Sequence, residues 1–599
     1  MDFNLEKDLV EAIKLPIEYQ NNEYINTLNQ NIITDLELVE TISNDNNSNN
    51  TNNNKNDNNT KSIYEHIFEP SNCFGKLVVK KLPNIYTTNI EYLKDTQQLL
   101  SSWSNKNNFI NNEELQDILN TYKEIKSDTG FCEKYFYIDW EHAKFLNTNP
   151  FFLQIMSIYN LASPLLSLFL PIILLVIPFF ILKVKGLEIT LDQYTTILKK
   201  LIGDHAIGKI FTKFNDVDIR EKAYILVSAA FYLFSIYQNI LTCIRFYSNF
   251  TKIHNYIFKL RKYIEYTINS MNYYLLVSNN LTSYNLFNNE VICNKTYLEN
   301  MLLELNKISD FSISIKKVFE IGNIMEKFYT IYSDTQFNSI MLYSFGFNGY
   351  LDCLTGLSLK IINKDINFIT FNNNNNKKKR KTIFKDSYYP ALIKNKPVKN
   401  TCDISKNIII TGPNASGKTT ILKTCLINVI LSQQFGCGTY KSGKLTPFKH
   451  IHCYLNIPDT SGRDSLFQAE ARRCKEIIDC VRNNKKDTHF CVFDELYSGT
   501  NPEEAVVSAS AFMEYLFQYK TVSSMLTTHY IDLCKDLEKN NDKSIINYHM
   551  KTNKLEEEGT FEYTYILTNG ISNVKGGLKV LSDMDYPSEI LEKTKMKFI

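Results

Sequence analysis

An α/β domain built on a parallel sheet, set behind a mainly α-helical N-terminal region, is the fold this 599-residue sequence predicts. Three observations carry it. In the C-terminal third the β-rich run "NIIIT", Asn407 to Thr411, leads through a glycine loop into the helical pattern "ILKTCLINVILSQQ". Two further apolar runs, in "THFCVFDELYSGT" from Thr488 and "SSMLTTHY" from Ser523, have the character of buried parallel strands. Before residue 365, apolar residues recur at three- and four-residue spacing, as in "IHNYIFKLRKYIEYTINSMNYYLLVSNNL".

Taken in order, residues 1–60 form an N-terminal segment closing on "SNDNNSNNTNNNKNDNNT", Ser43 to Thr60. That tract buries too little apolar surface to offset ordering entropy and is expected to be disordered. The acidic start, "MDFNLEKDLVEAIKLPIEY", lacks the apolar core of a secretory signal. Residues 61–144 carry mixed short patterns. Residues 145–250 are apolar: 38 residues from Phe145 to Leu182 lack any charge or histidine, and 22 from Ala223 to Ile244 do the same.

A bilayer span needs about 20 apolar residues, so the first run predicts membrane insertion. The second run holds several tyrosines and amides and reads equally as a span or a core helix. Pro164, Pro171 and Pro178 stand seven residues apart in the first run, and in water each would break a helix at a cost of about 3 kcal/mol. The intervening stretch, Lys183 to Lys222, holds eight basic against six acidic residues. A clean hairpin would place it on the non-cytosolic side, against the positive-inside rule, whereas a kinked or re-entrant insertion would not.

Residues 251–365 read as long helices, and 366–382 as a loop containing "NNNNNKKKRK", Asn372 to Lys381. Its basic residues suit a solvated loop or a nuclear-localisation or phosphate-contacting patch. Residues 383–599 hold the α/β domain. The formal net charge of +2 gives no global signature of a nucleic-acid binder. The thirteen cysteines lack the paired spacing of a zinc or disulfide framework and read as free thiols in a reducing compartment.

The chemistry begins with "GPNASGKTT", which satisfies G-x-x-x-x-G-K-[ST] between a strand and a helix. Gly412, Pro413, Asn414, Ala415, Ser416, Gly417, Lys418, Thr419 and Thr420 form a phosphate cradle, whose backbone N–H groups and helix N-terminus face anionic oxygens. This predicts ATP and Mg²⁺ as cofactors. Lys418 is expected at the β- and γ-phosphates and the Thr419 hydroxyl at Mg²⁺. Asp494 and Glu495 end an apolar strand about 75 residues on, at the edge where ligands of open parallel sheets bind. Asp494 fits the metal and Glu495 the general base for an attacking water. His529, at the end of the third strand, fits a γ-phosphate and water sensor.

These motifs together resemble the MutS family. "ITGPNASGKTTILK" is similar to its ATPase loop, "FDELYSGT" to its D-E-L-G-R-G-T, and "LTTHY" to its A-T-H-Y. The segment from "SQQFGCGTY" to "SGRDSLFQAE" is similar to the one closing on S-T-F-x-x-E. "MLYSFGFNGYLDCLTGLSL", "KDSYYPAL" and "YTYILTNGISNVKGGLKVLSDMDYPSEILEKTK" stand where the family has its L-D-x-L-x-S-L-A run, its R-H-P motif, and its tyrosine-leucine strand, glycine turn and terminal helix. The resemblance covers about Asn338 to Lys595.

It implies an ABC-type ATPase whose sites form across a homo- or heterodimer. Ser465 would then reach the partner's γ-phosphate, and Gly499, Thr500 and Asn501 would form the loop that crosses the dimer. Residues 251–337 would take the place of the lever and clamp helices. The chain departs from the pattern at Ala415-Ser416 and at Tyr497-Ser498, the latter on the dimer face. It also lacks a convincing F-x-E mismatch-reading segment, since "FCE" at Phe131–Glu133 is only a three-letter match. The resemblance therefore implies a nucleotide-switched DNA clamp without extending to mismatch reading. The apolar region suggests instead a membrane-anchored ATPase with a mechanical or scaffolding role, its ATPase domain on the cytoplasmic side. A nuclear or other DNA-associated location is the alternative.

Overall fold

The computed structural model describes residues 5–41, 61–104, 110–186, 190–204, 218–312, 314–372, 381–455, 465–540, 545–554, 561–572, 574 and 576–598. Both asparagine-rich tracts, most of the basic patch and residues 456–464 lie outside them. The chain forms two compact units that do not follow chain order. Among the described residues, one comprises those within 113–268 and 295–341; the other comprises those within 5–112, 269–294 and 342–599.

The first unit is helical. Its two long apolar elements are α1 (Pro150–Val184) and α2 (Ile219–Ser278), the latter contributing residues 219–268 to this unit. By length and composition alone, Pro150–Phe169 and α2 are the two described segments apolar enough to cross a membrane. α1 runs unbroken through all three prolines, although in water each would be expected to break a helix.

Local hydrogen bonding accounts for this at two of the three. Pro164 and Pro171 lack the N–H that would reach the carbonyls of Asn160 and Ser167. The Ser163 hydroxyl donates to the Asn160 carbonyl at 3.0 Å. The Tyr232 hydroxyl, from α2, lies 3.1 Å from the Ser167 carbonyl and 3.3 Å from that of Leu168. The Cys243 thiol contacts the Leu161 carbonyl at 3.4 Å, so the two helices pair antiparallel along this stretch. Gly322, on the helix Ile315–Ser333, permits a close approach to α1: a Cβ there would lie 2.2 Å from the Pro150 carbonyl oxygen. Gln154 seals the contact, accepting from the Gly322 N–H at 2.8 Å and donating to the Val318 carbonyl at 2.6 Å.

The second unit contains a six-stranded sheet: β1 (Asn407–Thr411), β2 (His450–Tyr454), β3 (His489–Asp494), β4 (Val522–Thr528), β5 (Ile545–Lys554) and β6 (Phe561–Asn569). The order is β6-β5-β1-β4-β3-β2, parallel except for the antiparallel β5–β6 pair. β1, β3 and β4 are buried on both faces, which is why they read as continuous apolar runs. The surrounding helices include α3 (Lys418–Phe435), α4 (Leu466–Asn483) and α5 (Pro502–Phe517). A second, five-stranded sheet is built from short strands between Asn367 and Leu445.

Residues 61–104, the first part of the 61–144 stretch of mixed short patterns, pack on this unit through α3. Gln434 of α3 donates to the Leu82 and Ile85 carbonyls at 3.0 and 2.9 Å. Gln97 donates to the Gly436 and Ile369 carbonyls at 2.7 and 2.8 Å. Burying α3 is tolerable because its polar side chains find partners; Gln433 both accepts from and donates to the Phe448 backbone.

Candidate nucleotide site

The sheet register brings the predicted residues to one edge. Asp494 of β3 pairs with Thr527 of β4, and Thr528 pairs with Thr411 of β1. The phosphate loop after β1, the acids ending β3 and His529 after β4 thus emerge side by side at the carboxyl ends of adjacent parallel strands.

The loop from Gly412 to Gly417 carries the backbone that a tight phosphate cradle demands. Gly417 caps α3 at φ 94° and Ala415 sits at φ 62°. A side chain at Gly417 would be strained, and its Cβ would meet the Tyr565 ring at 3.2 Å. The Ser416 hydroxyl closes the loop onto the Pro413 carbonyl at 2.7 Å.

Lys418 is buried. Its ammonium donates to the Gly412 and Pro413 carbonyls at 3.0 and 3.2 Å. It also lies 3.3 Å from His529 Nε2 and 4.0 Å from Glu495 Oε1. Burial holds this amine below its ordinary value, against the opposing charges of Glu495 and Asp494. The Thr419 hydroxyl meets Asp494 Oδ2 at 2.9 Å, and the Thr527 hydroxyl bonds the other carboxylate oxygen. This set of hard oxygen donors is of the kind that suits Mg²⁺.

Glu495 lies one residue beyond the strand, in a left-handed backbone conformation at φ 51°. Such a non-glycine conformation costs about 1–3 kcal/mol and turns the carboxylate toward the loop. Its Oε1 is 2.6 Å from His529 Nε2. That hydrogen bond chiefly holds the Glu495 carboxyl below the ordinary carboxylate value, overcoming the opposing effect of burial. Glu495 is thereby kept ionised and oriented, the condition for accepting a proton from water.

A cavity of about 480 Å³ joins Asn414–Thr420 and Glu495 to an aromatic wall that includes Tyr388, Tyr389 and Tyr565. Sequence reasoning passed over most of this wall. Tyr565 stands at φ 56° where the β5–β6 register slips, and such bulges re-aim side chains. Asn400 pins it, donating to the Tyr565 carbonyl at 2.9 Å and accepting from the Leu567 N–H at 2.8 Å. Thr527, the second partner of Asp494, was also missed: it stands in the "LTTHY" run where the A-T-H-Y pattern has alanine, so the pattern assigns its hydroxyl no role.

Ser465 does not line this cavity. It caps α4, accepting from the Gln468 N–H at 3.3 Å, just after residues outside the described set. The buried Glu470 of α4 accepts from the Ser498 hydroxyl and the Gly499 N–H at 3.0 and 3.2 Å, and so holds the following loop. Asn501 caps α5. In the first unit Phe131 is buried, with its ring centroid 3.6 Å from that of Tyr332 in a parallel stack. It therefore offers no exposed ring for stacking on a base.

Residues 408–598 match the family model described as MutS domain V. The Endonuclease MutS2 of Fusobacterium nucleatum is 28% identical over 253 residues, 41% of this chain and 30% of that protein. The DNA mismatch repair protein Msh3 of Homo sapiens is 26% identical over 240 residues, 36% of this chain and 21% of Msh3. The MutS protein homolog 4 of Mus musculus is 30% identical over 220 residues, 35% of this chain and 22% of that protein. The match thus spans less than a third of each of these relatives. At residues 408–598 the chain therefore carries a domain of the MutS family.

Proposed function

We propose that the chain is a Mg²⁺-dependent ATPase that works as a dimer and engages DNA as a nucleotide-switched clamp. The observation that carries the ATPase reading is the convergence of Lys418, Asp494, Glu495 and His529 at one sheet edge beside the phosphate loop. Lys418 binds the β- and γ-phosphates, exchanging its loop carbonyls for phosphate oxygens. Thr419 and Asp494 hold Mg²⁺, which would neutralise charge on the phosphate oxygens. Glu495 takes a proton from the attacking water, and His529 holds its carboxylate in place. Tyr565 and Tyr388 give the base an aromatic face. Ser465, absent from its own chain's cavity, completes the site of the partner.

DNA as the partner is supported by the similarity of residues 408–598 to MutS domain V, and the name of the human relative Msh3 points to mismatch repair. A second reading is favoured by a specific observation: α1 and α2 leave large apolar side chains in contact with solvent, Phe151 at 73% and Phe231 at 70% exposure. On that reading the ATPase is membrane-anchored, with little DNA binding. ATP turnover of the full chain with duplex, mismatched and branched DNA separates the two. Stimulation at moderate salt supports the clamp. Its absence, together with resistance to alkaline extraction from membranes, overturns the clamp in favour of the anchored ATPase.

A further inference from the structure

The opposite end of the same sheet carries a cluster that the nucleotide site does not use. His489 opens β3 and lies about 16 Å along the strand from Asp494. The register pairs it with His450, the first residue of β2, and pairs Cys491 with His452. Positions two apart share a face, so His450, His452 and His489 gather together, with ring centroids 4.7 Å apart for His450–His489 and 5.5 Å for His452–His489. α4 brings Cys480 to them.

The ligand atoms converge. His452 Nε2 is 3.2 Å from His489 Nδ1, and these two atoms and Cys480 Sγ all lie within 4.8 Å of one another. Two nitrogens on one tetrahedral zinc ion, at Zn–N distances of about 2.0–2.1 Å, sit roughly 3.3–3.4 Å apart. A nitrogen and a thiolate sit about 3.6 Å apart, within reach of a rotation of the Cys480 side chain.

The His489 tautomer is set as ligation requires, and His452 Nε2 donates to His489 Nδ1 in the absence of an ion. His489 Nε2 lies 3.0 Å from the Asn484 carbonyl, which only accepts, so Nε2 carries the proton and Nδ1 the lone pair. His450 Nε2 faces Asp487 Oδ2 at 3.1 Å, leaving Nδ1 toward Cys480 Sγ at 4.0 Å. Backbone carbonyls and carboxylates are the outer partners that orient metal-bound histidines. Burial, aided by the neighbouring histidines, pushes His452 down to about 3, so the ring is neutral at physiological pH. The nearby Arg473 guanidinium is balanced by Glu476 at 3.6 Å. A cavity of about 250 Å³ reaches His450, His452 and Cys480.

We propose that His452, His489 and Cys480 bind a zinc ion, with His450 Nδ1 the nearest further donor. Two imidazoles and a thiolate suit Zn²⁺ rather than the Mg²⁺ of the nucleotide site. On binding, the Cys480 thiol releases its proton to solvent and its sulfur bonds the ion. The proton that His452 Nε2 shares with His489 Nδ1 is given up, and His452 takes the Nδ1–H tautomer. The ion ties the last turn of α4 to β2 and β3, and the first turn of the same helix begins at Ser465.

The test is Co²⁺ titration of the full-length, chelator-treated protein, with excess Mg²⁺ to cover the nucleotide site. The expected result is one Co²⁺ per chain, a thiolate-to-cobalt charge-transfer band, and displacement by Zn²⁺. Cys480→Ser should abolish the band, and His452→Gln should weaken binding at least about tenfold, each with an unchanged circular dichroism spectrum. If one variant misfolds, the other serves alone. A wild-type chain without the band leaves the histidines as a hydrogen-bonded pair and overturns the proposal. Survival of the band in Cys480→Ser, or of wild-type affinity in His452→Gln, overturns it equally.

Discussion

The nucleotide sheet and the long apolar helices are made of the same residue types and place them in opposite surroundings. Ile408, Ile409 and Ile410 of β1 and Val492 and Phe493 of β3 are sealed inside the protein. Phe151, Leu165, Tyr224 and Phe231 of α1 and α2 face outward. Each large apolar side chain kept in water forgoes about 1.5–3 kcal/mol of burial. The sheet therefore completes its core from its own chain, whereas the helices call for an apolar medium or partner. Their polar groups differ too: at the site they converge on one sheet edge, while between α1 and α2 they pair carbonyls that prolines left unpaired.

The largest expected effect lies at the site. Lys418→Ala removes the only cation lodged among the described loop residues and should cut ATP turnover by about 10²–10³-fold or more, with nucleotide binding lost in a filter or calorimetric assay. On the helices, Phe231→Arg should cost about 2.5–3.5 kcal/mol of insertion if that face meets lipid, read as release of the chain on alkaline extraction. The same substitution should leave turnover unchanged if the two regions are as independent as their chemistry suggests.

Smaller effects sharpen the comparison. Tyr565→Ala should weaken ATP binding by about 1–3 kcal/mol, the scale of one base–aromatic stack, without altering the phosphate chemistry. Tyr232→Phe deletes the hydroxyl facing the Ser167 carbonyl and should destabilise the helix pair by about 0.5–1.5 kcal/mol in a chemical melt. The pH dependence rests on the Glu495 carboxyl. Because the Glu495 carboxyl is held below 4.5, its ionised form is present above that range and is lost only as pH falls through the lowered value. The acid limb of turnover due to Glu495 should therefore lie below pH 4.5. His529→Ala should move it upward, since burial then acts with less opposition.

What the sequence made legible follows from how local each constraint is. The phosphate loop is contiguous, and its glycine, lysine and threonine are dictated by one strand–loop–helix step. Asp494, Glu495 and His529 were legible because parallel strands deliver their last residues to one edge. Tyr565 was not, since its position depends on a register slip against β5 and on Asn400, some 165 residues earlier. The packing of residues 61–104 on α3 escaped for the same reason, resting on glutamines whose partners lie hundreds of residues away. The prolines misled because a helix-breaking rule assumes the freed carbonyl stays unpaired, and Ser163 and Tyr232 pair two of them. The histidine–cysteine cluster was invisible because its parts sit on two strands and a helix, with no C-x-x-C to announce them.

The central claim is that Glu495 activates water at a phosphate-loop site organised by Lys418 and His529. It is tested most directly by measuring nucleotide binding and ATP turnover of the full chain carrying Glu495→Gln. The account predicts that ATP still binds with near wild-type affinity while turnover falls about 10²–10⁴-fold and the ATP-bound dimer accumulates. Turnover at the wild-type rate would contradict it.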